Sequence, residues 1–418
     1  MATARDVLQH TPVRRYLLST ALASVGHNLL VTVLFKQVFD ISGDELDIGF
    51  IGLAQFVPAL LLVLASGWVA DRFDRRKVSG LFLLGRGLCA VALVVYSSID
   101  PGTVLPLFAI AFVLGASDAM LSPARRSIPP LIASPTDFPQ VIALWTATFT
   151  ASSIVGPVLG GFLYSVGPST AYTVAAGLEI AAIVPILRIV YLREPGRITD
   201  RPTLSAAMEG LRFVRHSPIV LAVISLDLFA VLFGGAIALI PAIASERLGV
   251  GDIAYGWLRA APGIGAAAMA VWLAVRPVTR RVGPTLLTVV AVFGVGTAVF
   301  GLTRNYAVAF TALVVISAAD MISMYIRGSI VPLVTPDDQL GRVSAVEGVF
   351  IGASNELGAF ESGVAARAFG LPWAIAGGGL VTVLIAGSFT VLFPSLRRVD
   401  TFDELKPVDL KPVSPASD

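Results

Sequence analysis

Hydrophobic residues along the chain gather into about twelve long runs, separated by short polar stretches rich in arginine, glycine and proline. The runs fall near 15–38, 48–70, 78–98, 104–125, 139–164, 169–191, 218–241, 254–275, 285–303, 306–331, 341–369 and 372–394. Most approach the roughly 20 residues with which an α-helix crosses a hydrocarbon core about 30 Å thick. The pattern predicts an all-α integral membrane protein with 12 transmembrane helices. The first run starts near Arg15 and is too long for a cleaved signal segment, so it is expected to stay as the first helix.

The pattern also repeats. Ser117-Asp118-Ala119 through Gly161 returns 202 residues later as Ala319-Asp320-Met321 through Gly363, with Arg125 matching Arg327 and Gly156 matching Gly358. A second echo, offset by 204, pairs Gly52, Pro58, Trp68 and Arg76 with Gly256, Pro262, Trp272 and Arg280. Two halves of one design, both very apolar, point to a transporter whose site lies between them. The expected division is a six-helix bundle over 1–191, a linker over 192–217, a second six-helix bundle over 218–394, and a disordered tail rich in Pro and Asp over 395–418. Inside the linker, residues 205–214 suit a short helix lying on the membrane interface.

Composition narrows the class. With 418 residues, 56% hydrophobic, 14% charged and a mean hydropathy of +0.82, the chain needs lipid as its solvent. The net charge of +2 is spread by side and forms no patch for nucleic acid. Arg72, Arg75, Arg76, Lys77, Arg125, Arg126, Arg193, Arg212, Arg215, Arg276, Arg280, Arg281 and Arg342 fall in loops on one side, while the acidic segment from Asp40 to Asp47 falls on the other. The positive-inside rule therefore makes both termini cytoplasmic. One cysteine, Cys89, and three scattered histidines leave no disulfide framework and no metal site. No Gly-Lys-Ser/Thr loop marks a nucleotide site, and no nucleophile with a partnered base marks an enzyme.

Gly67-Trp68-Val69-Ala70-Asp71-Arg72-Phe73-Asp74-Arg75-Arg76-Lys77 resembles the signature loop of the major facilitator superfamily, Gly-x-x-x-Asp-Arg-x-Gly-Arg-Arg/Lys, with Asp74 at the usual glycine. In the fifth run, Gly156-Pro157-Val158-Leu159-Gly160-Gly161 is similar to the Gly-Pro-x-x-Gly-Gly element of antiporters in that superfamily. The buried arginine of the family's helix 4 motif is missing; Ala111 stands about where it would fall. With Arg86, Asp118, Ser122-Pro123-Ala124-Arg125, Leu340-Gly341-Arg342 and Asn355, the chain resembles the branch of enterobactin-type siderophore exporters and drug pumps. The resemblance implies the major facilitator fold, two pseudosymmetric bundles, and export of a small amphipathic molecule from the plasma (bacterial inner) membrane. It also implies no cofactor beyond a proton gradient, and a monomer as the working unit. An uptake symporter, a lipid-handling carrier and a non-transporting membrane sensor are the competing readings.

An ionisable group at mid-bilayer costs about 2.5 kcal/mol or more, so each calls for a partner, water or a function. Asp227 lies nine residues into the seventh run, roughly 14 Å deep at 1.5 Å per residue. Glu356 and His27 come out at comparable depth. Because protonation removes the penalty on a buried carboxylate, Asp227, Glu356 and His27 are the expected proton-coupling residues. Gly67, Asp71, Arg72, Arg75, Arg76, Asp118 and Arg125, with Asp320 and Arg327 from the repeat, are expected to form a cytoplasmic gate. Arg86 and Glu179 pair with each other or snorkel, in a structural role. Asn28, Gln55, Trp145, Tyr255 and Asn355 are the candidate cargo contacts.

Overall fold

The computed structural model describes residues 4–99, 102–193 and 204–407. Twelve long helices dominate it: α1 (Thr11–Ser42), α2 (Glu45–Arg72), α3 (Arg75–Ser98), α4 (Leu105–Arg126), α5 (Phe138–Tyr164), α6 (Pro168–Leu187), α7 (Pro218–Gly234), α8 (Asp252–Val275), α9 (Val282–Leu302), α10 (Tyr306–Val334), α11 (Asp337–Phe369) and α12 (Leu371–Leu392). No strand occurs among the described residues. Among the described residues, eleven candidate spans are long and apolar enough to cross a membrane. The exception, α11, carries Arg342, Glu347, Glu356, Glu361 and Arg367 along its length.

The ends are set locally. Gly43, at φ +61°, stops α1 in a left-handed turn. Asp44 then caps α2 by accepting from the Leu46 amide at 2.9 Å, and Asn305 caps α10 from Ala307 and Val308. Large apolar side chains such as Leu61, Val271, Val275 and Val391 project outward, as they must where the surrounding solvent is hydrocarbon.

Packing repeats between the halves. In the N-terminal bundle α3 packs on α6, α2 on α4, and α1 on α5 and α6; in the C-terminal bundle α9 packs on α12, α8 on α10, and α7 on α11 and α12. The most extensive contacts between the bundles exchange under the same pseudo-twofold, α2 with α11 and α5 with α8. The repeated glycines serve contacts both between and within the bundles, because helices in lipid gain by close backbone approach. Gly161 lies against Gly256, and its mate Gly363 lies against Glu45 and Leu46. Gly156 lies against Asn28 on α1, and its mate Gly358 against Val231 and Leu232 on α7.

After Gly234 the helix of α7 unwinds into a 3-10 turn over Ala236–Leu239 and a π-turn over Ile243–Arg247. Arg259 on α8 donates to the freed Ile237 carbonyl at 3.0 Å. The linker helix runs over Leu204–His216, with Gly210 against the Arg342 backbone and Glu209 paired to Arg342 at 2.6 Å. Residues 194–203 of the expected linker and 408–418 of the expected tail lie outside the described residues. The rest of the tail departs from the expected disorder. Leu396 and Val399 are buried, Gly283 donates to the Val399 carbonyl at 3.0 Å, and Phe402 meets Tyr325 edge-on, so residues 395–407 close the underside of the C-terminal bundle.

Candidate functional site

The described contacts between bundles concentrate toward one end, that of Asp44. There Gly49 approaches Phe360, and Gly52 approaches Glu356 and Ala359. Polar struts reinforce the seam. Lys36, buried on α1, pairs with Asp40 at 2.5 Å and with Asp252 of the other bundle at 3.6 Å. Tyr164 donates to Asp40 at 2.7 Å, Tyr255 donates to the Thr32 carbonyl at 2.8 Å, and Arg367 reaches Asp44 at 3.0 Å. Toward the opposite end, that of Arg72, the picture reverses. Gly67 on α2 and Gly341, Gly348 and Gly352 on α11 have nothing within 4 Å of a Cβ position. With His27, Asp118, Gln55 and Glu356 partly exposed on helices that face across the seam, these open positions outline a cleft between the bundles from the Arg72 end up to the level of Glu356.

At the closed top of that cleft the expected proton groups part company. Glu356 on α11 is partly exposed and has no hydrogen-bond or ion-pair partner among the described residues; Asp118 of the opposite bundle lies within electrostatic reach. His27 faces Asp118, with Nδ1 at 3.7 Å from Oδ2. Asp227, by contrast, points into its own bundle, where Arg327 holds it at 2.7 Å in a small crevice shared with Asp320, Ala319, Val290 and Phe293. Sequence reasoning had separated these residues, giving Asp227 to coupling and Arg327 and Asp320 to a gate; the fold joins them in one buried group.

The same regrouping occurs in the N-terminal bundle. Asp118 does not meet Asp71 or Arg76. It takes Arg86 at 3.1 Å, and the second Arg86 nitrogen binds Glu179, which is fully buried. The pairing of Arg86 with Glu179 was one of the two readings open from sequence. Arg125 is set apart from the loop as well, with a buried Nη2 that finds no hydrogen-bond partner among the described residues.

The signature loop stands alone at the Arg72 end. Asp71 reaches Arg75 at 3.9 Å, Arg75 donates to the Ser127 carbonyl at 3.1 Å, and Arg72 stacks over Trp68. Asp74, the departure from the family pattern, caps α3 through the Arg76 amide at 3.0 Å and clamps the Arg76 side chain at 2.6 Å. Arg76 lies over the Tyr191 ring, and Tyr191 donates to Asp74 at 3.1 Å. These bonds, Arg76 first, hold the Asp74 carboxyl below its ordinary range; burial and the adjoining carboxylate push the Tyr191 phenol up to about 12.

Among the candidate cargo contacts, Asn355 is exposed, and Asn28, Gln55 and Trp145 are partly so. Tyr255 is the exception. It is buried as a strut in the seam and closed to any cargo in this state. Pro157 and Gly160 of the glycine-proline element stay inside the α1–α5 and α5–α8 packing, Gly160 against Thr32 and the Pro157 carbonyl against Gly256. Sequence reasoning missed Lys36, Asp252 and Arg259. The available signal was a cation inside an apolar run, which demands a counter-ion or carbonyl that only the fold identifies.

Comparison with known proteins agrees with this architecture. The sequence model described as Major Facilitator Superfamily matches residues 16–359. The chain is 26% identical over 410 residues to the multidrug efflux pump Tap of Mycolicibacterium fortuitum, covering 93% of this chain and 97% of that one. It is 27% identical over 400 residues to the enterobactin exporter EntS of Escherichia coli O1:K1, covering 90% and 92%. Among solved structures, a POT family transporter in complex with 5-aminolevulinic acid superposes with a TM-score of 0.74 at 10% identity. A bacterial homologue of the human lysosomal transporter Spinster, in an inward-facing and unoccupied conformation, superposes at 0.69 and 16%. Each covers 92% of this chain and 96% of its own.

Proposed function

The chain belongs to the Major Facilitator Superfamily, transporters rather than enzymes, and from that premise we propose that it exports a small amphipathic molecule, drug-like or a siderophore, in exchange for protons. It is a multi-pass membrane protein, and its bacterial relatives indicate the inner membrane. In this reading α11 is the twelfth span, shielded by its neighbours, and both termini face the cytoplasm. The arginine-rich Arg72 end is then cytoplasmic, and the cleft opens inward to receive cargo.

The observation that carries the proposal is the asymmetry of the seam. Glycine contacts and the Lys36–Asp252, Tyr255–Thr32 and Arg367–Asp44 struts shut one end, while the cleft below them ends on Glu356, Asp118 and His27. Rocking the bundles about this level exposes the same groups to either side in turn, which is what alternating access requires. In the outward state Asp71, Arg75 and Arg76 of the signature loop, brought against the start of α11, are the closing elements at the cytoplasmic end. The efflux relatives, Tap and EntS, favour export over uptake.

The test is substrate-dependent proton movement in vesicles energised by a pH gradient. Asp227→Asn and Glu356→Gln are each expected to abolish it while leaving the protein in the membrane. Full coupling in both variants would discard the assignment of these acids, and accumulation of cargo against the predicted direction would replace export by symport.

A further inference from the structure

One side-chain cluster at the end of the cleft has a joint geometry that the reading above does not use. Inside the N-terminal bundle, Arg86 is a single cation shared by two carboxylates, Asp118 at 3.1 Å and the fully buried Glu179, with a further bond from Nη2 to the Ala23 carbonyl at 3.1 Å. The two outer members of the cluster, Asp118 and His27, keep 30% and 28% of their side-chain surface open. His27 Nδ1 is buried, has no hydrogen-bond partner among the described residues and faces Asp118 Oδ2 across 3.7 Å.

We infer that His27 and Asp118 together form the proton-loading site of the N-terminal bundle, with Arg86 and Glu179 as positioning residues behind them. The inference rests on the proton-coupled reading above and adds, beside the acids tested there, a proton position in the N-terminal bundle. A proton added to the imidazole makes both ring nitrogens donors, and the gap to Asp118 then closes as a charge-assisted hydrogen bond. Asp118 is thereby held on both oxygens, Oδ1 by Arg86 and Oδ2 by His27. Glu179 anchors the second arm of Arg86, so the guanidinium cannot swing away to leave Asp118 free.

Charged and titratable groups face the site from every helix packed around it. Tyr16 and His27 face it from α1, Arg86 and Cys89 from α3, Asp118 and Arg125 from α4, Glu179 from α6, and Glu356 from α11 of the opposite bundle. Arg86 is taken up by Asp118 and Glu179, and Glu356 makes no ion pair among the described residues. A proton on His27 offsets the charge on Asp118 and so relieves the repulsion between Asp118 and Glu356. Because Glu356 arrives on the other bundle, through the α2–α11 contact, the added proton favours the state in which that contact is made. Proton occupancy is thus tied to the rocking motion itself.

The test places spin labels at K77C and R280C, exposed positions at the Arg72 end of the two bundles, in a C89S background reconstituted in liposomes. Distances are read as a continuous titration from about pH 8 down to about pH 4. Acid is expected to increase the wide-distance population. H27Q and D118N should each abolish that response, the double variant should lose no more than either single one, and D118E should restore part of it. H27Q removes no ion from the core, so it carries the test even if D118N fails to fold. A response that survives in H27Q, or is lost additively, overturns the pair. If the response vanishes only in D227N, this site falls while proton coupling stands. A protein with no pH response but intact proton movement in vesicles also overturns the site, whereas absence of both defeats the coupled reading itself.

Discussion

At the scale of single residues, the chain shows how little a buried charge reveals about its partner. Depth in the apolar run marked Asp227, but Arg327 lies 100 residues away in sequence, and nothing in either run points to the other. Both side chains are more than nine-tenths covered, so removing one strands the other. Arg327→Met is expected to destabilise the protein by about 3–5 kcal/mol, whereas the double substitution with Asp227→Leu should recover most of that loss. Thermal unfolding in detergent measures both. Asp74 is the opposite case, a local device legible beside the loop motif yet read there only as a missing glycine. Asp74→Ala should cost about 1 kcal/mol through loss of the α3 cap. Because the folded state holds the Asp74 carboxyl low, its contribution is present above the unfolded value of about 3.9 and fades as pH falls below it. Acid lability of wild type below about pH 4 should therefore shrink in the Ala variant.

At the scale of helices, the glycines carry the argument. Their recurrence at a fixed offset was visible in sequence, but the surfaces they serve were not. Gly156 and Gly358 fit helices within their own bundles, while Gly161 and Gly363 fit helices of the opposite one. A side chain at Gly161 would collide with the backbone of Asp252 and Gly256, which a flexible neighbour cannot relieve. Gly161→Val is thus expected to hold α5 away from α8 and bias the molecule away from the state seen here. Loss of cross-linking between D44C and R367C, a pair joined by a 3.0 Å ion pair in wild type, would report it. Unchanged cross-linking would show that the seam does not depend on this approach.

At the scale of the whole molecule, a symmetric scaffold carries asymmetric wiring. The repeat conserves Asp118 with Asp320 and Arg125 with Arg327, yet the partners differ. The only carboxylate of α1, Asp40, lies at its far end, so Arg125 has no counterpart to Asp227; α9 has no arginine, so Asp320 has no counterpart to Arg86. The two bundles can rock as equals and still titrate as different objects. Lys36 shows the same inequality at the seam, joining Asp40 of its own bundle to Asp252 of the other. Lys36→Met leaves those carboxylates facing without a cation and should shift the resting population toward a narrower cleft at the Arg72 end. Distances between the K77C and R280C labels would show this as a gain of short separations at neutral pH.

The sequence by itself determined the lipid solvent, the helical class, the duplication and the depth of each ionisable residue, because these follow from hydropathy and spacing along one chain. Only the tertiary structure decided which charges meet, that Tyr255 braces a seam instead of lining a cavity, and that the cleft opens at the Arg72 end. Those outcomes depend on how helices rotate and cross, and packing between distant segments sets that rotation, not the period of any one helix.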